Sequence, residues 1–361
     1  MVNCELSYPD KMPAAEILRL PLNGKLNRKS QEGSSGKFYF GDNFPILQHL
    51  CLELKGKVDL IYIDPPFGTG QTFSKISEKK AYEDWNPDHH FLEFIRRRLY
   101  ILRELLSNQG SLYLHIDKKL GHYLKIILDE VFGAENFLND ISRIKCNPKN
   151  FARKAYGNFS DMILVYARER DQNIWNEVRE VLNEEEVKQL FPKKDKQRGA
   201  YTTHPLHAPG KTLDGDTGKN WKGLSPPPGR HWRYGRKVLD ELDDAGLIEW
   251  SDNGNPRKKV FASDHKGKKL QDVWEFKDKG LSYVSYPTEK NAELLERIIA
   301  QSSHPNSLIL DAFAGSGSTL LAAEKLGRNW IGIDQSPESL ETIQENFQKA
   351  NIRCEFWEWK S

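Results

Sequence analysis

Residues 64–67 read Asp64-Pro65-Pro66-Phe67, directly after the apolar run Leu60-Ile61-Tyr62-Ile63. A carboxylate followed by a backbone carbonyl that proline holds at fixed φ makes two hydrogen-bond acceptors at a set separation. An aromatic ring follows. Two acceptors beside an aromatic face suit a clamp for a planar group with an amino edge. A strand cap and turn would use the same residue types.

A second stretch, Leu308–Thr319, runs through Asp311-Ala312-Phe313-Ala314-Gly315-Ser316-Gly317. It reads as a strand, a glycine turn and a helix start. The glycines let the backbone approach a ligand, and the helix start offers N–H groups to a carboxylate or phosphate. Leu320 stands where a G-x-G-x-x-G fingerprint needs its third glycine, which disfavours a nicotinamide dehydrogenase. The next strand ends on Asp334. A carboxylate there accepts from both ribose hydroxyls, or caps the following helix.

The elements that must carry these residues follow from hydrophobic spacing. Strands are expected at 37–40, 58–63, 111–116, 141–144, 162–166, 307–310 and 330–333, with an edge strand at 352–357. Helices are expected at 44–54, 91–106, 123–132, 291–300, 319–326 and 337–350. Alternating strands and helices predict an α/β fold with a doubly wound, parallel sheet. From about 168 to 285 this rhythm breaks into a basic block, a Pro-rich loop at 225–229, a helix at 236–245 and a hairpin at 247–262. The expected organisation is therefore a polar N-terminal arm (1–36), a catalytic domain (37–168 and 286–361) and an insert (169–285).

No apolar run in the 361 residues reaches the roughly 18 needed to span a bilayer, and the N-terminus lacks a signal-peptide pattern. Cys4, Cys51, Cys146 and Cys354 are too scattered for a disulfide framework or a CxxC zinc site, which fits a reducing cytosol. His204 and His207 lack partner ligands, so no metal is expected. The chain carries +2 in all, yet residues 191–238 hold 11 Lys/Arg against three Asp. That block points to a polyanion or to a solvated basic face.

Together these motifs resemble the amino-directed DNA methyltransferases of the adenine-N6/cytosine-N4 family. DPPF resembles their (D/N/S)PP(Y/F) catalytic motif, and DAFAGSGST at 311–319 is close to their DPFAGSGTT cofactor loop. Gly41-Asp42-Asn43, LDEVFGAENF at 128–137 and WIGID at 330–334 match as well. Tyr286-Pro287-Thr288-Glu289-Lys290 departs from the usual HPTQK at its first and fourth positions. The order, catalytic motif before cofactor loop, is similar to that of the beta group, which includes type III modification subunits and solitary methylases.

The resemblance implies a Rossmann-like, seven-stranded, mostly parallel sheet and S-adenosylmethionine as cofactor. Gly315, Ser316 and Gly317 would pass its methionine part, with Asp311 and Phe313 lining the same pocket. Tyr286 and Thr288 would border the methionine end, Asp334 would hold the ribose, and Asp42 the adenine amino group. Asp64 and Pro65, with Pro66 shaping the turn, would accept from the target amino group while Phe67 stacks on the flipped base. The Asp-initiated motif favours adenine N6; cytosine N4 is the alternative, and a catalytically dead DNA-binding protein the non-enzyme one. Double-stranded DNA is the implied partner, contacted by Lys145, Lys149, Arg230, Arg233 and Arg236. Trp221, Trp232, Trp250 and Trp274 read as the core of the insert, more than as base contacts. A homodimer is compatible, any cognate restriction endonuclease would be a separate chain, and the location would be a prokaryotic cytosol.

Overall fold

The computed structural model describes residues 4–29, 36–66, 89–147, 154, 156–212, 214–252, 254–277 and 291–360. Phe67, Lys149, Tyr286 and Thr288 lie outside the described residues. The chain divides into two compact units, Met1–Val178 with Gln271–Ser361, and Arg179–Leu270.

In the first unit the strands are β1 (Lys25–Arg28), β2 (Gly36–Phe40), β3 (Val58–Ile63), β4 (Leu106–Ile116), β5 (Phe137–Ile144) and β6 (Ser160–Ala167). After the second unit come β7 (Val273–Glu275), β8 (Leu308–Asp311), β9 (Asn329–Asp334) and β10 (Glu355–Lys360). They form one sheet in the order β1-β10-β2-β9-β8-β3-β4-β6-β5-β7. Only β1 and β6 run against the common direction. Among the described residues the sheet thus has ten strands where seven were expected.

The central strands are apolar without alternation because both faces are covered. In β3, Ile61 and Ile63 enter a core shared with α2 (Asn43–Leu54), α3 (His89–Leu105) and α4 (Lys118–Phe132). Leu60 and Tyr62 enter the opposite core, shared with α5 (Ala292–Ser302), α6 (Ser318–Lys325) and α7 (Pro337–Lys349). That is a doubly wound arrangement, with helices on both faces of one sheet.

The N-terminal arm is part of this unit. Ile17, in the short helix Ala14–Ile17, is fully buried. Burying a side chain of that size stabilises by about 1.5–3 kcal/mol. Tyr8 Oη donates to Glu93 Oε2 and Lys11 Nζ to Glu130 Oε2, each at 2.8 Å, on α3 and α4. Strand β1 pairs antiparallel with β10, so β10 is an inner strand and not the expected edge. Polar composition hid this segment, because its side-chain bonds, from Tyr8 and Lys11, go to carboxylates far along the chain.

Residues 169–178 and 271–277, assigned from sequence to the insert, fold with the first unit. Ile174 is buried, its N–H donates to Gln109 O at 2.9 Å, and Trp274, on β7, packs into the first unit's core. Trp274 is therefore not part of the insert's core.

The second unit has a four-stranded antiparallel sheet in the order Ile248–Trp250, Pro256–Phe261, Gly199–Pro205, Lys193–Asp195. A two-stranded ribbon pairs His207–Pro209 with Arg230–Trp232. Its core holds Leu206, Trp221, Trp232, Leu239 and Ile248. Trp250 stacks on Trp221 at 5.6 Å with 11° between the planes, but is 41% exposed, so it caps this core from outside.

Candidate active site

Chain direction across the sheet reverses between β8 and β3. From β8 the chain crosses through α6 to β9 on one side; from β3 it crosses through α3 to β4 on the other. In open α/β sheets such a switch point leaves a crevice at the carboxyl ends of the two strands. Asp311 ends β8, and Asp64 follows β3 by one residue. Asp334 ends β9, and Asp42 follows β2, next in order. Four carboxylates from distant parts of the chain thus line adjacent strand ends. At the β3 exit Pro65 is buried and Pro66 exposed.

The loop from Asp311 to Gly317 is pinned from every side. Phe313 N donates to Asp311 Oδ1 at 2.9 Å, Ala314 N to Ile333 O at 3.0 Å and Gly315 N to Asp334 Oδ2 at 2.8 Å. Asn43 Nδ2 donates to Ala312 O at 2.7 Å, and Asn346 Nδ2 to Ser316 O at 3.0 Å. Gly317 caps α6 at φ 80°, where a Cβ would stand 3.1 Å from Ile343 Cγ1. Glycine is required there by both backbone conformation and packing. Asp334 Oδ1 also takes the N–H of Ser336, the N-cap of α7, at 2.8 Å, so it holds the entry to that helix as well as the loop.

Three acids in a buried site repel one another. Burial pushes the Asp311 carboxyl up to about 7, and the charges of Asp64 and Asp334 add to that against bonds from Thr319 and the Phe313 N–H. Burial raises Asp334 as well. A buried carboxylate cluster of this kind fits a cationic ligand, whose charge would stabilise the ionised acids.

Asp42 is tied to a residue that sequence reading missed. Its Oδ1 accepts from Phe44 N at 3.0 Å, capping α2, and from Arg98 Nη2 at 2.8 Å. Arg98 Nε also donates to Asn43 Oδ1, and its guanidinium lies 3.4 Å from the Phe94 ring centroid. Burial lowers Arg98 to about 10, which leaves it charged at neutral pH. The available signal was a charge on the apolar stripe of α3, between Phe94 and Leu102. Asp42, Phe44, Phe94 and Arg98 form part of the wall of a cavity of about 360 Å³.

A buried polar network braces the other flank. Tyr62 Oη lies 2.8 Å from His115 Nδ1, and His115 Nε2 lies 3.4 Å from Asp161 Oδ2. Because Nε2 faces the carboxylate, it carries the proton, and Nδ1 accepts from Tyr62. Asp161 also meets Lys145 Nζ at 2.6 Å and Arg143 Nη1 at 3.6 Å. Arg143 Nε donates to Phe276 O at 3.0 Å. Burial alone would raise Asp161, but hydrogen bonding to His115 and Lys145, with the Lys145 charge, overcomes it and holds the carboxyl at about 2. The network crosses β3, β4, β6 and β5, two residues upstream of Asp64.

Among the expected DNA contacts, Lys145 is committed to Asp161. Arg236 Nε is paired with Asp216 Oδ1 at 2.8 Å. Arg230 and Arg233 are exposed and have no carboxylate partner among the described residues.

Residues 58–345 match the N6/N4 methyltransferase family, described as DNA methylase. The chain is 41% identical over 352 residues to the type II methyltransferase M.EcaI of Enterobacter cloacae, covering 95% of this chain and 77% of that one. It is 26% identical over 341 residues to the StyLTI Mod subunit of Salmonella typhimurium, a type III restriction-modification enzyme, covering 82% of this chain and half of that subunit. Among solved structures it is similar to the M1.HpyAVI–SAM complex, with a TM-score of 0.47, 19% identity and coverage of 86% and 98%. With four-fifths of its length matching one family, from β3 into α7, this chain belongs to the N6/N4 DNA methylases.

Proposed function

We propose that the chain methylates the exocyclic N6 of an adenine flipped out of a short sequence in double-stranded DNA, with S-adenosylmethionine as cofactor. The observation that carries this reading is the placement of Asp64-Pro65 at the sheet's switch point, beside the carboxylates of Asp311 and Asp334. An exocyclic amino group is a weak nucleophile because its lone pair is shared with the ring. Asp64 and the Pro65 carbonyl accept its two N–H bonds, which favours a tetrahedral nitrogen with an available lone pair. Positioning and electrostatic stabilisation then lower the barrier. The proton released by the methylated nitrogen passes to the Asp64 carboxylate or to water.

The cofactor, when bound, supplies an electrophilic methyl group on a sulfonium. Asp334 would hold its ribose, Asp42 its adenine, and the 311–317 loop with Asp311 and Phe313 its methionine end. Phe67, Tyr286 and Thr288 keep the roles the resemblance implies. Flipping the base costs a few kcal/mol, which stacking on an aromatic face offsets. A cytosolic protein acting as monomer or homodimer, with any partner endonuclease on a separate chain, accords with this reading.

Incubation with duplex DNA and the cofactor, followed by nucleoside mass spectrometry, is expected to yield N6-methyldeoxyadenosine. N4-methyldeoxycytidine would move the target to cytosine, and no methylated nucleoside would overturn the reading. A second expectation concerns pH. Because Asp311 titrates at about 7, a sulfonium cation binds better to its ionised form. Cofactor affinity measured by calorimetry should rise as pH increases through that value, and Asp311→Asn should flatten the profile.

A further inference from the structure

The second unit holds three arginines set along Thr203 to His207, where the strand Gly199–Pro205 passes through a bend at Leu206 into the strand His207–Pro209. Arg257 Nε and Nη2 donate to Thr203 Oγ1 and O, both at 2.8 Å. Arg233 Nε donates to Pro205 O at 3.1 Å. Arg230 Nη1 lies 2.8 Å from His207 Nδ1, and since a guanidinium only donates, Nδ1 accepts. The anchors are residues 203, 205 and 207, each two apart. At the rise of an extended strand, the anchors at 203 and 205 are about 6–7 Å apart, and the chain carries the third one two residues further on. That is of the order of the separation between neighbouring phosphates on one strand of a duplex.

Several neighbouring cations are already neutralised. Lys193 is paired with Glu249, Lys222 with Asp243, Arg236 with Asp216 and Lys259 with Asp195. Arg230, Arg233 and Arg257 have no carboxylate partner among the described residues, although each is held by the protein's own acceptors. Burial, then the charges of Arg230, Arg233 and Arg257, hold the His207 imidazolium below its usual range. Arg230 thus meets the ring directly and the charges of Arg233 and Arg257 are felt at it, with no carboxylate paired to any of the three among the described residues. Such an arrangement costs stability unless an anion completes it. Anchoring also reduces the side-chain entropy lost when an anion binds, and leaves guanidinium N–H groups for phosphate oxygens.

We propose that Arg230, Arg233 and Arg257 form a phosphate ladder that seats consecutive phosphodiesters of one DNA strand. This rests on the proposed function, in which the partner is duplex DNA. The ladder positions the backbone and carries no sequence information itself. Arg257 had no sequence signal; it lies outside the basic block.

The test uses the full chain and a mixed-sequence DNA duplex, with Kd measured across a salt series. Arg230→Gln, Arg233→Gln and Arg257→Gln combined should weaken binding. They should also flatten the plot of log Kd against log salt by up to about 2.7, at about 0.9 per lost phosphate contact. The triple Arg→Lys variant, which keeps the charges, should retain the slope. A wild-type slope in the Gln variant, or a slope lost equally in the Lys variant, would overturn the ladder. If the wild type methylates and binds the duplex while the Gln variant keeps its slope, only the ladder fails. If the wild type neither binds nor methylates duplex DNA, the functional reading fails with it.

Discussion

Asp64→Ala is expected to lose methyl transfer by about 10²–10³-fold in kcat, the scale seen when one preorganised hydrogen-bonding group is removed from a transition state. The fold should not suffer. Asp64 sits among carboxylates, and its charge helps push Asp311 up to about 7. Deleting it relieves that repulsion, so thermal stability should equal or exceed the wild type's, a trade common at active sites. Cofactor titration should also remain intact, because the proposed cofactor contacts come from Asp42, Asp334 and the 311–317 loop. Asp64→Asn keeps one acceptor oxygen and should fall between the two. The decisive comparison is single-turnover methylation beside a thermal melt. A variant that is both inactive and markedly less stable would mean Asp64 serves the fold, and transfer at the wild-type rate would remove it from the chemistry.

The largest effect on stability is expected at Asp161. Asp161→Ala removes a carboxylate that faces Arg143, Lys145 and His115 at once, with Arg143 and His115 fully buried. Breaking a buried pair from one side costs about 3–5 kcal/mol, because the partner's charge stays desolvated. Urea unfolding at neutral pH reads this directly, and a loss below about 1 kcal/mol would put the network in the class of weak surface pairs. The pH dependence has a definite sign. Asp161 is held at about 2 in the fold against an ordinary 3.8, so its contribution is present above 3.8 and lost as pH falls towards 2. Asp311 has the opposite sign. Its raised value means a contribution fully present below 3.8 and lost as pH rises through about 7. The ligand-free protein should therefore be more stable in mild acid than at neutral pH if Asp311 dominates there, and Asp311→Asn should remove that slope.

Much of the site is legible in the order of residues along the chain. The run Val58–Ile63, the glycine turn at 315–317 and the strand ending at Asp334 are local patterns, and each folds as its spacing predicts. Hydrophobic period and turn chemistry depend on neighbours a few residues away, which is why sequence carries them. The arm shows the contrary case. Residues 4–28 have little periodicity, yet Ile17 is fully buried and β1 closes one edge of the sheet. Their partners, Glu93, Glu130 and β10, lie far along the chain, and nothing local announces them.

The same division runs through the candidate site residues. Asp64, Pro65 and the 311–317 loop were named by the sequence alone, because their residue types and order already specify acceptors, a close backbone approach and a helix start. Only the tertiary structure put Asp64 beside Asp311 at the switch point, joined Tyr62 to His115 and Asp161, and placed Arg98 behind Asp42. In the second unit it separated Arg236, already neutralised by Asp216, from Arg257, anchored on Thr203 with its charge unmatched. The physical reason is common to all of these. A side chain's chemical type is written at its own position, whereas its charge balance and burial are set by partners that folding brings from elsewhere in the chain.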